Sequence, residues 1–145
     1  MSGDRGAGPA GGDVGGEPVG DDRYQTGMRV RREVLGDDHV DRAQAGATEF
    51  TRDFQRHITE LAWGSVWTRP GLDRRTRSAI TLAALTALGR EGELELHVRA
   101  ALRNGLSPDE ISEILIHTSV YAGLPAANAA FRIAQRVIDE ETATG

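Results

Sequence analysis

The tetrapeptide Ser107-Pro108-Asp109-Glu110 is built to open a helix. Serine caps free N–H groups, proline supplies the fixed φ of the first helical position, and glutamate at the third position reaches back to the cap. Similar punctuation brackets it. Asp73 can cap an apolar run that stops at Gly89, Gly105 suits the end of a helix over 91–104, and Gly123 with Pro125 separates two further helices. Between these marks the apolar residues recur every three or four positions: Leu94, Val98 and Ala101; Ile111, Ile114 and Leu115; Ala126, Ala130, Ile133, Ala134 and Val137. No strand alternation and no tandem repeat appears, so the fold class is all-α. The 74–88 run is apolar over more than one face, which predicts an interior helix. Alanines at 83, 84, 87, 126, 130 and 134 allow close helix approach but fill little volume, favouring helix contacts within or between subunits, and hence an oligomer.

Upstream the signals weaken. Asp37 or Asp38 can cap a helix through Gln44, and Phe50, Phe54, Ile58 and Leu61 predict a second one with a common apolar face. Val30, Val34 and Leu35 predict only a short anchoring turn. Pro70 makes Thr68–Gly71 a shaped loop. Nine of the 18 glycines fall in residues 1–27, with almost no bulky apolar side chain, so this stretch reads as a disordered extension ahead of a helical domain at 28–145.

Composition removes whole classes of chemistry. The chain has no cysteine, which excludes disulfides, thiolate catalysis and cysteine-ligated metals within it. His39, His57, His97 and His117 form no close ligand cluster, so no metal is expected. There is no GxGxxG turn, no phosphate loop and no nucleophile elbow around any serine, so no nucleotide cofactor and no serine hydrolase is expected either. A net charge of −5, of which −2 belongs to residues 28–145, argues against a nonspecific nucleic-acid or anionic-membrane surface. No secretory signal and no long apolar run is present, and a cytoplasmic protein is expected.

Polar residues inside apolar helices are the informative exceptions, since burial requires a partner or a ligand. His97 lies along the stripe of its helix, with Glu93 four residues before it and able to tune it. His117 has Tyr121 four residues after it on one face. Both histidines can equally serve structural roles through hydrogen bonds to backbone carbonyls. Arg69, Arg74, Arg75 and Arg77 cluster around the loop and the following helix start, suiting paired carboxylates or an ordinary charged surface.

The run WTRPGLDRRTRSAITLAALTALGREGELELHVRAALRNGLSPDEISEILIHTSVYAGLPAANAAF resembles the 4-carboxymuconolactone decarboxylases, over roughly Met28 to Glu140. The joint spacing of WxRPGLxxRxRS, ALGRxxELxxH, NGLSPDEI and HxxxYAGxPAAxxA is far more specific than any one of them. The resemblance implies a domain of the alkylhydroperoxidase D-like superfamily, an all-helical homo-oligomer, commonly a hexamer. Redox members place two cysteines and a histidine where this chain has Arg90, Glu93 and His97, so dithiol chemistry is lost. What the resemblance implies instead is cofactor-free decarboxylation of a small-molecule dicarboxylate lactone, 4-carboxymuconolactone, to β-ketoadipate enol-lactone in protocatechuate breakdown. His97 is then the leading proton donor or enolate stabiliser with Glu93 tuning it, His117 and Tyr121 are secondary catalytic candidates, and Arg69, Arg75 and Arg77 are substrate-binding candidates. One of those arginines can instead hold the Trp67–Gly71 loop. A lactone decarboxylase or isomerase of altered substrate range, or a non-enzymatic helical assembly, are the alternatives.

Overall fold

In the computed structural model, which describes residues 19–144, every regular element is helical. The order is α1 (Val19–Leu35), α2 (Asp37–Ala45), α3 (Arg52–Ile58), a π-helical segment (Thr59–Val66), α4 (Arg74–Leu88), α5 (Glu91–Arg103), α6 (Pro108–Ala122) and α7 (Leu124–Ala143). The all-α expectation holds among the described residues.

The C-terminal four helices form where the sequence places them. Asp73 caps α4 by accepting from the Thr76 N–H at 2.8 Å, and Gly89 ends it at φ 70°. Ser107 and Glu110 complete both bonds of the capping box on α6, each 3.1 Å. These helices enclose an aliphatic core of Leu82, Leu94, Val98, Ala101, Ile111, Leu115, Ala130, Ala134 and Val137. Helix α4 is not interior all round: Leu82 is buried, while Ile80 and Leu88 are exposed.

The N-terminal half departs from expectation at four points. First, α1 begins at Val19, so residues 19–27 are part of a 17-residue helix rather than of the extension; residues 1–18 of that expected extension lie outside the described residues. Gly27 is a crossing point rather than linker. A Cβ there would stand 2.2 Å from the Thr59 carbonyl oxygen, and one on Gly64 would stand 2.5 Å from the Arg23 carbonyl oxygen, so two backbones meet at paired glycines. Second, Gly36, not an aspartate side chain, occupies the cap position of α2, at φ 90°; Asp37 and Asp38 form its acidic first turn. Third, the 50–61 helix has a different buried face. It starts at Arg52, which leaves Phe50 in a turn; Phe50, Phe54 and Leu61 are exposed, Ile58 packs against a core, and past Ile58 the chain winds into a π-helix whose changed phase buries Thr59 and Trp63 instead of Leu61. Fourth, helical winding runs past the expected end at Leu61, through Gly64 to Val66.

A second core forms here from Val30, Val34, Leu35, Val40, Trp63 and Ala100, with Leu96 and Trp67 against it. Helix α5 thus lies between two cores, one face to each.

Candidate active site

His97 stands on the second-core side of α5. Its ring stacks near-parallel to Trp63, with centroids 6.3 Å apart and planes at 9°, and also faces Trp67 at 6.5 Å and 23°. The indoles themselves lie 5.1 Å apart. Trp63 lies in the π-helical segment and Trp67 caps its C-terminal end, and both meet α5 at His97. Such segments recur at functional sites because the extra residue per turn re-aims side chains.

The imidazole Nδ1 is buried and has no hydrogen-bond partner. Burial, with the nearby His39 adding to it, pushes the His97 pKa down to about 4; the exposed Glu93 carboxylate pulls the other way and loses. His97 is therefore an uncharged imidazole at neutral pH, with an unused polar atom in an aromatic setting. His39, on α2, is itself held below its ordinary value, first by burial and then by the Arg31 and Arg42 cations.

The other expected residues are spread over different surfaces. Arg77 donates to the Arg69 carbonyl at 3.1 Å, bracing the loop that follows Trp67, while its Nε is buried without a partner. Arg69 is exposed on that loop. Arg75 points elsewhere, tying α4 to the α5–α6 turn through the Gly105 carbonyl and Glu110; to hold substrate it would have to release them. Arg74 pairs with Glu33 at 2.6 Å. His117 and Tyr121 do lie together, with ring centroids 5.4 Å apart, but on an exposed face of α6. His117 lines a groove of about 650 Å³ with Ile80 and Ala83 of α4 and Ile116 and Val120 of α6, and its described ring contact is with Tyr121 rather than with His97.

Sequence reasoning missed Trp63, His39 and Arg31. Trp63 was detectable in principle as the first member of a Trp63–Trp67 pair four apart. Arg31 was detectable as a charge inside the apolar spacing Val30, Val34, Leu35, because Val30 and Arg31 face the way Val34 and Leu35 do one turn on. No group of three or more acidic, histidine or cysteine side chains among the described residues could hold a metal ion, and no described helix is long and apolar enough to cross a membrane.

Several known proteins share this chain's pattern. The 4-carboxymuconolactone decarboxylase of Acinetobacter baylyi is 52% identical over 118 residues, covering 81% of this chain and 88% of the relative. The nitrosuccinic acid decarboxylase of Metarhizium robertsii is 44% identical over 117 residues, covering 81% and 82%. A 4-carboxymuconolactone decarboxylase of Pseudomonas putida is 52% identical over 42 residues, which is 29% of this chain and 88% of that sequence. Residues 52–136, from the start of α3 into α7, match the model of the carboxymuconolactone decarboxylase family. With the tryptophan-flanked histidine inside the matched region and the likeness to the Acinetobacter protein running beyond it, the chain belongs to the carboxymuconolactone decarboxylase family.

Proposed function

We propose that the chain is a carboxy-lyase that decarboxylates 4-carboxymuconolactone to β-ketoadipate enol-lactone in protocatechuate breakdown, without an organic cofactor. Family membership and the 52% identity to the Acinetobacter decarboxylase support the reaction. The observation that carries the mechanism is the uncharged, partly orphaned imidazole of His97 against two indole faces.

Loss of CO2 sends an electron pair through the ring alkene into the lactone carbonyl, giving a conjugated enolate. The protein must stabilise that oxyanion and protonate the carbon alpha to the carbonyl. At rest the neutral ring of His97 keeps only its weakly acidic N–H and lacks the second proton of an imidazolium. Binding a dianion beside it raises its basicity, since an opposite charge favours the protonated ring, so the complex takes up the proton that finally reaches carbon. The indoles exclude water and leave the departing carboxylate poorly solvated, which favours its conversion to neutral CO2. Arg77, with Arg69 beside it, is the substrate-facing arginine at this loop. Glu93 opposes the depression of the His97 pKa.

The protein works as a homo-oligomer, the hexamer being the size the family resemblance implies. The exposed apolar residues Ile80, Ile116, Val120, Tyr121 and Leu124 support a subunit contact along α4, α6 and the start of α7. His117 and Tyr121 then face a neighbouring subunit. Light scattering checks the assembly: a monomer at micromolar concentration contradicts it. Incubation with 4-carboxymuconolactone, following CO2 and enol-lactone together, tests the reaction. Equal amounts of both are expected; a folded protein releasing neither contradicts it.

A further inference from the structure

Arg31 is a buried cation without a counter-charge. It lies on α1, 6% exposed, and its two terminal nitrogens donate to Thr59 Oγ1 and Gln55 Oε1, each at 3.2 Å. Both acceptors are neutral. The Nε is buried with no partner, and no carboxylate among the described residues pairs with this guanidinium. Cations stripped of water and left unpaired are costly, and a ligand anion is one way to supply what is missing. Beside Arg31 is a cavity of about 340 Å³, lined also by Tyr24, Gln44 and Arg52, all of which can donate hydrogen bonds. Its one acidic wall residue, Asp53, makes no ion pair with Arg31.

Thr59, in the wall of this cavity, links it along the chain to the His97 site. Thr59, which accepts from Arg31, precedes by four residues Trp63, which stacks on His97, on the same π-helical segment. His39 is close enough to feel Arg31 and to be felt by His97.

The substrate offers a matching group. On the reacting carbon of 4-carboxymuconolactone sit the carboxyl that leaves and a CH2–COO⁻ arm that stays. Nitrosuccinic acid, in the name of the Metarhizium relative, has the same pair around a different electron sink: a carboxyl on the nitro-bearing carbon and a CH2–COOH arm. A common scaffold for both needs a place for the retained arm. It should lie away from the leaving carboxylate, because a cation on the latter would hold the ground state.

We propose that the Arg31 cavity binds the carboxylate the substrate keeps, with Arg31 as its anchor. The proposal rests on the decarboxylase reading. Anchoring there orients the ring so that the leaving carboxylate lies on the tryptophan side, near His97.

The test compares wild type, Arg31→Gln and Arg31→Lys on the lactone diacid and on its methyl ester at the retained arm. With the diacid, Arg31→Gln should lower kcat/KM about 10- to 100-fold, mostly through KM, and Arg31→Lys should recover part of it. With the ester, wild type and Arg31→Gln should agree within about twofold. An equal loss on both substrates, or no loss on the diacid, overturns the proposal. Should Arg31→Gln fail to fold, Arg31→Lys on the same pair carries the comparison, with a loss confined to the diacid expected. A wild type that releases no CO2 defeats the decarboxylase reading instead. Succinate then tests the cavity alone: it should raise the Tm of wild type and raise that of Arg31→Lys less, and no effect on wild type overturns the site. In an active wild type, succinate that binds at Arg31 without competing with the lactone also overturns the proposal.

Discussion

The two faces of α5 meet different worlds. Leu94, Val98 and Ala101 enter an aliphatic core between regular helices with well-formed caps. Leu96, His97 and Ala100, one residue around the helix, meet Trp63, Trp67 and the valines of α1 and α2 across a π-helical wall. The first face stabilises the domain by removing apolar area from water. The second keeps an imidazole nitrogen and, further along, a guanidinium nitrogen buried without partners. A site that must recognise and discharge an anion leaves such groups uncommitted, and the aliphatic face offsets their cost.

The largest expected effect breaks the comparison from the reactive side. His97→Gln should cut turnover of 4-carboxymuconolactone about 10²- to 10⁴-fold with little change in Tm; near-normal turnover in the folded variant would remove His97 from the chemistry. On the opposite face, Leu82→Ala should cost about 2–5 kcal/mol in urea denaturation while leaving KM near its wild-type value, since Leu82 is fully buried in the aliphatic core. A KM change as large as the stability loss would mean that the two faces are coupled.

Acid separates the faces without mutation. The His97 pKa is about 4 in the folded chain against 6.5 ordinarily, so unfolding takes up a proton between those values. Stability present above pH 6.5 is lost as pH falls toward 4, by about 3 kcal/mol in all. Chemical denaturation across that window should show the loss in wild type and less of it in His97→Gln. Gly27→Ala forces a methyl against the Thr59 carbonyl and should cost about 1–3 kcal/mol. The smallest effect belongs to the regular half: Ser107→Ala removes one cap bond on α6, about 1 kcal/mol, with kcat unchanged.

Legibility divides along the same line. Asp73, Gly89, Ser107, Glu110 and Gly123 act locally, through bonds to backbone a few residues away, and their elements stand where the sequence puts them. The 50–66 stretch depends on a crossing with α1 that brings Gly27 to Gly64 across 37 positions, and no local pattern encodes the π-helical winding that results. Read as a plain α-helix, it buries Phe50, Phe54 and Leu61; in the fold it buries Thr59 and Trp63. His97 was legible as a polar interruption of an apolar stripe. The stacking of the Trp63–Trp67 pair on it was not, because that contact depends on the winding. The arginines near the Trp67–Gly71 loop were legible as a cluster, but their partners were not: Arg75 is tied to Glu110, Arg77 to the Arg69 carbonyl, and the buried cation without an acid is Arg31, on a helix that sequence reasoning reduced to a turn.

The most direct measurement is an NMR titration of the His97 ring in the substrate-free protein, using imidazole-labelled histidine and His97→Gln to assign the signal. Desolvation by the tryptophan face predicts an uncharged ring through the neutral range and a midpoint of about 4. A midpoint near the ordinary 6.5 would mean that His97 is solvated, and would contradict the neutral, substrate-switched imidazole on which the mechanism depends.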